Sequence, residues 1–260
     1  MKLAELTAHL ESFCPVSFAQ DWDNVGLMCG RSESEIRLVM LALDATGSVI
    51  EQAVEAGADL LLTHHPLLFR ATKHVTDDDF VGRRILTLAE HHIACYAMHT
   101  NFDVLGMADA AADELKLLDR EVLEVTFEDD VSREGLGRVG KLPACMTLEE
   151  VAQYVKDVFH IRTVRVYGKP EEPVVTAAVL PGAGGSEIDL AVRAGADVMI
   201  TGDISHHTGI DAAEKGIAVI DAGHYGVEKL FLPHMEEFFR RELPALRVIC
   251  ANEAEPFLEI

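Results

Sequence analysis

The stretches "VIEQAVEAGADLLLTHH" (residues 49–65) and "EIDLAVRAGADVMITGD" (187–203) carry one pattern twice: A-V-x-A-G-A-D, then an apolar run that ends in Thr. The first part reads as a helix that stops at the A-G-A-D turn, where glycine accepts the left-handed backbone of a helix terminus, and the second as a short buried strand. Each copy follows another apolar run, "IRLVMLALD" (36–44) and "VVTAAVLPG" (174–182). Each precedes a further helix and strand, "RRILTLAEHHIACYAMHT" (83–100) and "IDAAEKGIAVIDAGH" (210–224). Two related β-α-β-α-β units result. Their strands are short, apolar throughout and separated by helix-length segments, the mark of parallel strands covered on both faces. The expected fold class is α/β, with duplicated three-layer units.

The expected organisation is one domain of two related lobes, about 1–120 and 174–260, with a connecting segment 121–173. In that segment "GLGRVGKLPACMTLEEVAQYVKDVFHIRTVRVYG" (135–168) reads as strand, loop, helix and strand. Thr147 caps the helix, and Glu149 and Glu150 complement the dipole of its first turn.

Composition narrows the function. Lys and Arg number 22 against 44 Asp and Glu, a formal charge of −22. Such a surface repels phosphate backbones, and the densest basic stretches, "GRR" (82–84) and "FRRELPALR" (239–247), are short, so nucleic-acid binding is disfavoured. The five cysteines are widely spaced with no C-x-x-C pair, which suits neither a disulfide framework nor a thiolate zinc site. The opening "MKLAELTAHLESFCP" is amphipathic and acidic rather than a secretory signal, and no stretch approaches the roughly 20 apolar residues of a membrane span. A cytoplasmic protein with no membrane association is expected.

In open α/β sheets the chemistry collects beyond the carboxyl ends of the strands. His64 and His65 end one strand of the first copy, and His99 and Asp103 follow the next in "HTNFD". Asp203, His206 and His207 follow the matching strand of the second copy, and His224 and Glu228 follow the last in "HYGVE". His224 and Glu228 stand at i and i+4, on one face of a helix, and can reach one centre. Adjacent residues in extended backbone diverge, so His64 and His65 suit two ions a few ångströms apart better than one. The candidate ligands are therefore His64, His65, Asp103, His224 and Glu228, with Glu228 as the bridge. Imidazole and carboxylate without thiolate suit divalent Zn, Fe, Mn, Co or Ni and do not choose among them. Against this, "THHP" also reads as a plain turn with solvated imidazoles, and His74, His91, His92 and His234 read as surface or structural residues.

The ordered motifs "DWDNVGLMCG" (21–30), "LLLTHHPLLF" (60–69), "HTNFDV" (99–104), "GLGRVGKL" (135–142), "TGDISHH" (201–207) and "DAGHYGVEKL" (221–230) resemble those of the Nif-three-like family, whose members are commonly labelled GTP cyclohydrolase 1 type 2 homologues. The resemblance runs from about residue 5 to the C-terminus. It implies a duplicated α/β fold, a dinuclear metal centre on the same five residues, and a homohexameric toroid.

Two divalent transition-metal ions so placed point to a hydrolase acting on a nucleotide or related small molecule through a metal-activated water. His99 and His207 are the candidate proton carriers; each equally suits a hydrogen bond that orients a ligand. The other reading is a non-catalytic metal-binding scaffold or metal-handling protein. Two stretches stay open in the same way. "LPGAGGSEID" (180–189) is a tight βα turn or a phosphate cradle, and "DWDNVG" is either the lip of a substrate site or a helix exit that buries Trp22.

Overall fold

The computed structural model describes residues 1–258. In chain order its elements are α1 (Leu3–Phe13), β1 (Gly26–Cys29), β2 (Leu38–Ala42), α2 (Gly47–Ala56), β3 (Leu60–Thr63), α3 (Phe80–Glu90), β4 (Ala94–Ala97), α4 (Thr100–Phe102) and α5 (Ala108–Glu114). There follow β5 (Leu118–Glu128), β6 (Arg133–Thr147), α6 (Leu148–Val158), β7 (Arg165–Tyr167), β8 (Pro173–Val179), α7 (Ile188–Arg193), β9 (Val198–Thr201), α8 (His206–Glu214), β10 (Ala218–Asp221), α9 (His224–Glu228), α10 (Phe231–Glu242) and β11 (Arg247–Cys250). A π-helical turn occupies Asp103–Met107. The chain divides into two compact units, Met1–Phe102 with the segment from Phe231 onward, and Asp103–Leu230.

The first unit holds a five-stranded sheet in the order β1-β4-β3-β2-β11. β11, β2, β3 and β4 run parallel and β1 is antiparallel to β4. Every residue of β2, β3 and β4 is buried, as expected of strands covered on both faces. Leu38, Met40, Leu61 and Cys95 pack in one cluster with Val49, Ile50 and Ala53 of α2 and Leu88 of α3.

The second unit holds a six-stranded sheet in the order β5-β6-β8-β9-β10-β7, in which β8, β9 and β10 are parallel. Ala177, Val179, Val198 and Ile200 pack with Leu148, Val151 and Val155 of α6, while their neighbours Ala178 and Met199 pack with Ile188 and Ala191 of α7 and Ala212 of α8. Alternate residues thus feed opposite faces, giving the helix-sheet-helix layers expected. The duplication is visible as topology: β2-α2-β3-α3-β4 in one unit and β8-α7-β9-α8-β10 in the other. Both A-G-A-D glycines take left-handed backbone, Gly57 at φ 67° and Gly195 at φ 74°.

Two features differ from the sequence reading. The segment 121–173 is no mere connector, because β5, β6 and β7 are three of the six strands of the second sheet. The C-terminal part of the second lobe belongs elsewhere, because β11 is hydrogen-bonded to β2 from Arg247↔Leu38 to Cys250↔Leu41. Thr147 caps α6 as expected, in a reciprocal capping box with Glu150.

Candidate metal centre

In the first unit the register of the parallel strands decides which side chains meet. Ala42 lies opposite Thr63, and Thr63 opposite Ala97, so β2, β3 and β4 end level. The ladder continues past them through His64 N to Ala42 O, His65 N to Leu43 O and Met98 N to Thr63 O. Asp44, His64, His65, Met98 and His99 therefore share one edge of the sheet. The rings of His64, His65 and His99 each offer a nitrogen, and these nitrogens lie within 4.8 Å of one another. His64 is fully buried, while His65 and His99 are partly exposed.

Each of these rings is oriented through Nδ1. His64 Nδ1 lies 2.8 Å from the Met98 carbonyl oxygen, His65 Nδ1 lies 3.0 Å from Asp44 Oδ1, and His99 Nδ1 lies 2.9 Å from Asp23 Oδ1. A carbonyl can only accept, so Nδ1 of His64 carries the hydrogen and Nε2 is the lone-pair nitrogen of the neutral ring. Carboxylates impose the same tautomer on the other two. Outer hydrogen bonds of this kind orient imidazoles that bind metals and raise their basicity.

Asp23 is the member of this arrangement that sequence reading weighed only within "DWDNVG", as part of a lip or a helix exit. Its shielded carboxylate also accepts from Thr100 N and Thr100 Oγ1. Burial alone would raise its pKa, but the hydrogen bonds from His99 and Thr100 and the charge of His99 outweigh that and bring it to about 2. A carboxylate more acidic folded than unfolded stabilises the fold fully above the ordinary aspartate pKa, and this stabilisation is lost as pH falls through about 2. Asp23→Asn is expected to cost about 2 kcal/mol at neutral pH. Denaturant melts at pH 7 and below pH 2 check this: the gap between variant and wild type should close in acid.

The second unit builds a matching group. Thr201 lies opposite Asp221 at the ends of β9 and β10, so the turns that carry Asp203 and His224 emerge side by side. His224 Nδ1 lies 2.9 Å from Asp203 Oδ2, and His224 Nε2 lies 3.0 Å from Glu228 Oε2. With Nδ1–H donating to Asp203, the Nε2 lone pair faces a carboxylate oxygen, a contact that calls for a cation, proton or metal, between them. A carboxylate oxygen of Asp103 also lies within 4.8 Å of one of Glu228, which is 3% exposed. Two acids held this close away from water repel unless positive charge joins them. Asp103 opens the π-helical turn, a distortion frequent at functional sites. There is no room for a side chain at Gly202, where a Cβ would sit 2.6 Å from His224 N.

His64 and His65 thus meet each other and His99 in one unit, and Asp103, His224 and Glu228 meet in the other. His207 lies exposed in the first turn of α8 beside His206 and, among the described residues, joins none of these groups. His91 and His92 lie exposed just past α3, and His234 packs in α10 against Phe13 and Phe102. The glycine-rich turn is closed internally, with Gly184 N donating to Thr201 Oγ1 and Thr201 Oγ1 to Gly182 O. Asp203→Asn should weaken divalent-metal affinity roughly 10- to 100-fold while leaving the fold intact, because it removes an orienting partner and not a ligand. Metal titration of the chelator-treated protein, with circular dichroism alongside, checks this.

The donors fit divalent ions of the transition series: nitrogen and carboxylate oxygen, rings fixed in the ligating tautomer, acids clustered out of water. No helix among the described residues is long and apolar enough to cross a membrane.

Comparison with known proteins agrees with this architecture. A Clostridium acetobutylicum protein named GTP cyclohydrolase 1 type 2 homolog is 37% identical over 230 residues, covering 88% of this chain and 85% of the relative. A Clostridium perfringens protein of the same name is 35% identical over 261 residues, covering 99% of each. The crystal structure of a Bacillus cereus protein related to NIF3 superposes with a TM-score of 0.91 over 100% of this chain and 99% of that one, and at 24% identity this bears on the fold alone. The model of one family, Duf34/NIF3 (NGG1p interacting factor 3), matches residues 1–256, nearly the whole length. The chain belongs to the Duf34/NIF3 family.

Proposed function

We propose that this protein is a metal-dependent hydrolase whose two divalent ions are held by His64, His65, Asp103, His224 and Glu228. One observation carries the reading: the imidazoles of His64, His65 and His224 all have Nδ1 held by an oxygen, leaving Nε2 as the ligating nitrogen, and carboxylates stand beside His224. Such ions would supply Lewis acidity toward a carbonyl or phosphoryl oxygen and a water acidified toward neutrality. Glu228 would hold the ions through its carboxylate, and Asp103 would offset their charge beside it. Asp44 and Asp203 keep the rings in register. His99, backed by Asp23, is the proton carrier, since the hydrogen bond from Nδ1 to that carboxylate leaves Nε2 as the lone-pair nitrogen. The substrate is a nucleotide or related small molecule, and the working form is a homohexamer, as the family resemblance implies.

Purified, undenatured protein should carry about two divalent ions per chain and hydrolyse a member of a panel of nucleotides, phosphoesters and cyclic amides. Removal of the metal should abolish turnover and restoration should return it. A metal-loaded protein inert across that panel, releasing its ions readily to a chelator and an acceptor, would instead identify a metal-handling scaffold. Light scattering after size exclusion tests the hexamer separately.

A further inference from the structure

We propose that Trp22 and Phe69 form an aromatic clamp that seats a flat heteroaromatic ring of the substrate beside His99. This assignment rests on the hydrolase reading and narrows its substrate, a nucleotide or related small molecule, to one recognised through a flat ring by named residues. Trp22 is 61% exposed and Phe69 49%. A single exposed aromatic side chain needs no explanation, but these two form a patch with a catalytic candidate. Their ring centroids are 6.0 Å apart, and each also lies edge-on to His99, at 6.1 Å from Trp22 and 6.3 Å from Phe69.

The backbone beneath the patch is pinned. Asp23, immediately after Trp22, accepts hydrogen bonds from His99 and Thr100, and Asn24 Nδ2 donates to the Leu68 carbonyl, one residue before Phe69, at 2.6 Å. Gln20 N donates to Thr100 Oγ1 at 2.9 Å. Both sides of Trp22 are thus fixed to the segments that carry His99 and Phe69. The local chain gives up its conformational freedom to hold an indole in water, which a core residue or a mobile loop would not require. The two ring planes meet at 64°, so neither covers the other, and an incoming ring can stack on one while meeting the edge of the other. Stacking recognises a π face without needing positive charge, which suits a chain whose net charge is −22. Because the patch surrounds His99, a small ring can occupy it and leave that imidazole in play, whereas a second copy of the chain laid over it would seal the histidine off.

Trp22 is the only tryptophan, so its fluorescence reports on the clamp directly. The metal-loaded full-length protein is titrated with guanosine monophosphate and with ribose 5-phosphate, which shares the sugar phosphate and lacks the ring. Saturable quenching by the nucleotide alone is expected, with Phe69→Ala weakening it roughly tenfold or more and Phe69→Tyr retaining it. Equal responses to both ligands, no saturable response, an unchanged Phe69→Ala variant, or a Trp22 that resists acrylamide in the ligand-free protein because a second copy covers it would each overturn the clamp. Binding is read without turnover. An inert protein that still discriminates the ring sinks the hydrolase and keeps the clamp, and an active one that does not discriminate sinks only the clamp.

Discussion

Glu228→Gln is expected to empty the metal centre while leaving the metal-free protein as stable as wild type or more so. Glu228 is 3% exposed, has an oxygen 3.0 Å from His224 Nε2, and offers a carboxylate oxygen within 4.8 Å of one of Asp103. In the metal-free protein the second acid is a burden, because two like charges in a poorly solvated position repel, and a neutral amide of the same shape relieves that repulsion. With metal present the sign reverses, since the same charge is what the cation binds. The expected loss of affinity exceeds the roughly 100-fold upper range for orienting partners such as Asp203, and hydrolysis falls with it. His64→Ala should match the loss of metal without the gain in metal-free stability, since it removes a fully buried ring and leaves a cavity. Elemental analysis paired with thermal melts in chelator separates the two effects. If Glu228→Gln lowers metal-free stability as much as it lowers occupancy, Glu228 is a structural carboxylate and the bridging assignment fails.

What the sequence made legible follows from what is local. The A-G-A-D helix stop is a local event, a glycine in left-handed backbone followed by an apolar run, and it marks both units. The pairing of His224 with Glu228 is equally local, since one helical turn separates them. By contrast, β5 hides from periodicity. Its residues Leu118–Glu128 are mostly exposed and interspersed with charges, and its place is set by antiparallel pairing with β6. β11 joins β2 across some 200 residues of chain, a parallel pairing that no local pattern announces. The orienting partners divide in the same way. Asp203 is among the strand-end positions the sequence singles out, and Asp44 stands at another strand end, where the logic that selected His64 and His224 would have found it. The Met98 carbonyl has no sequence signal, and Asp23 meets His99 across 76 residues only because the fold brings them together.

The second large effect falls on a residue that touches no candidate ligand. Asp221 ends β10 and is 3% exposed. Its Oδ2 accepts from Ile204 N at 3.2 Å and from Arg165 Nη2 at 2.9 Å, and its Oδ1 accepts from Gly223 N at 3.1 Å. One carboxylate therefore joins the turn that carries Asp203 to the turn that carries His224, and the 2.9 Å contact between those two depends on the turns staying level. Asp221→Ala is expected to destabilise the protein by about 3 kcal/mol, because it strands backbone donors that the β10 terminus shields from water. It should also weaken metal binding as far as Asp203→Asn does. Arg165→Ala removes the other partner of the ion pair, yet its side chain is 68% exposed and solvates readily, so its cost should stay below about 1 kcal/mol. Equilibrium denaturation of both variants, with metal titration, sets the comparison. Should Asp221→Ala cost no more than Arg165→Ala, the staple is only a surface ion pair, and the alignment of His224 must come from the packing around Gly202 instead.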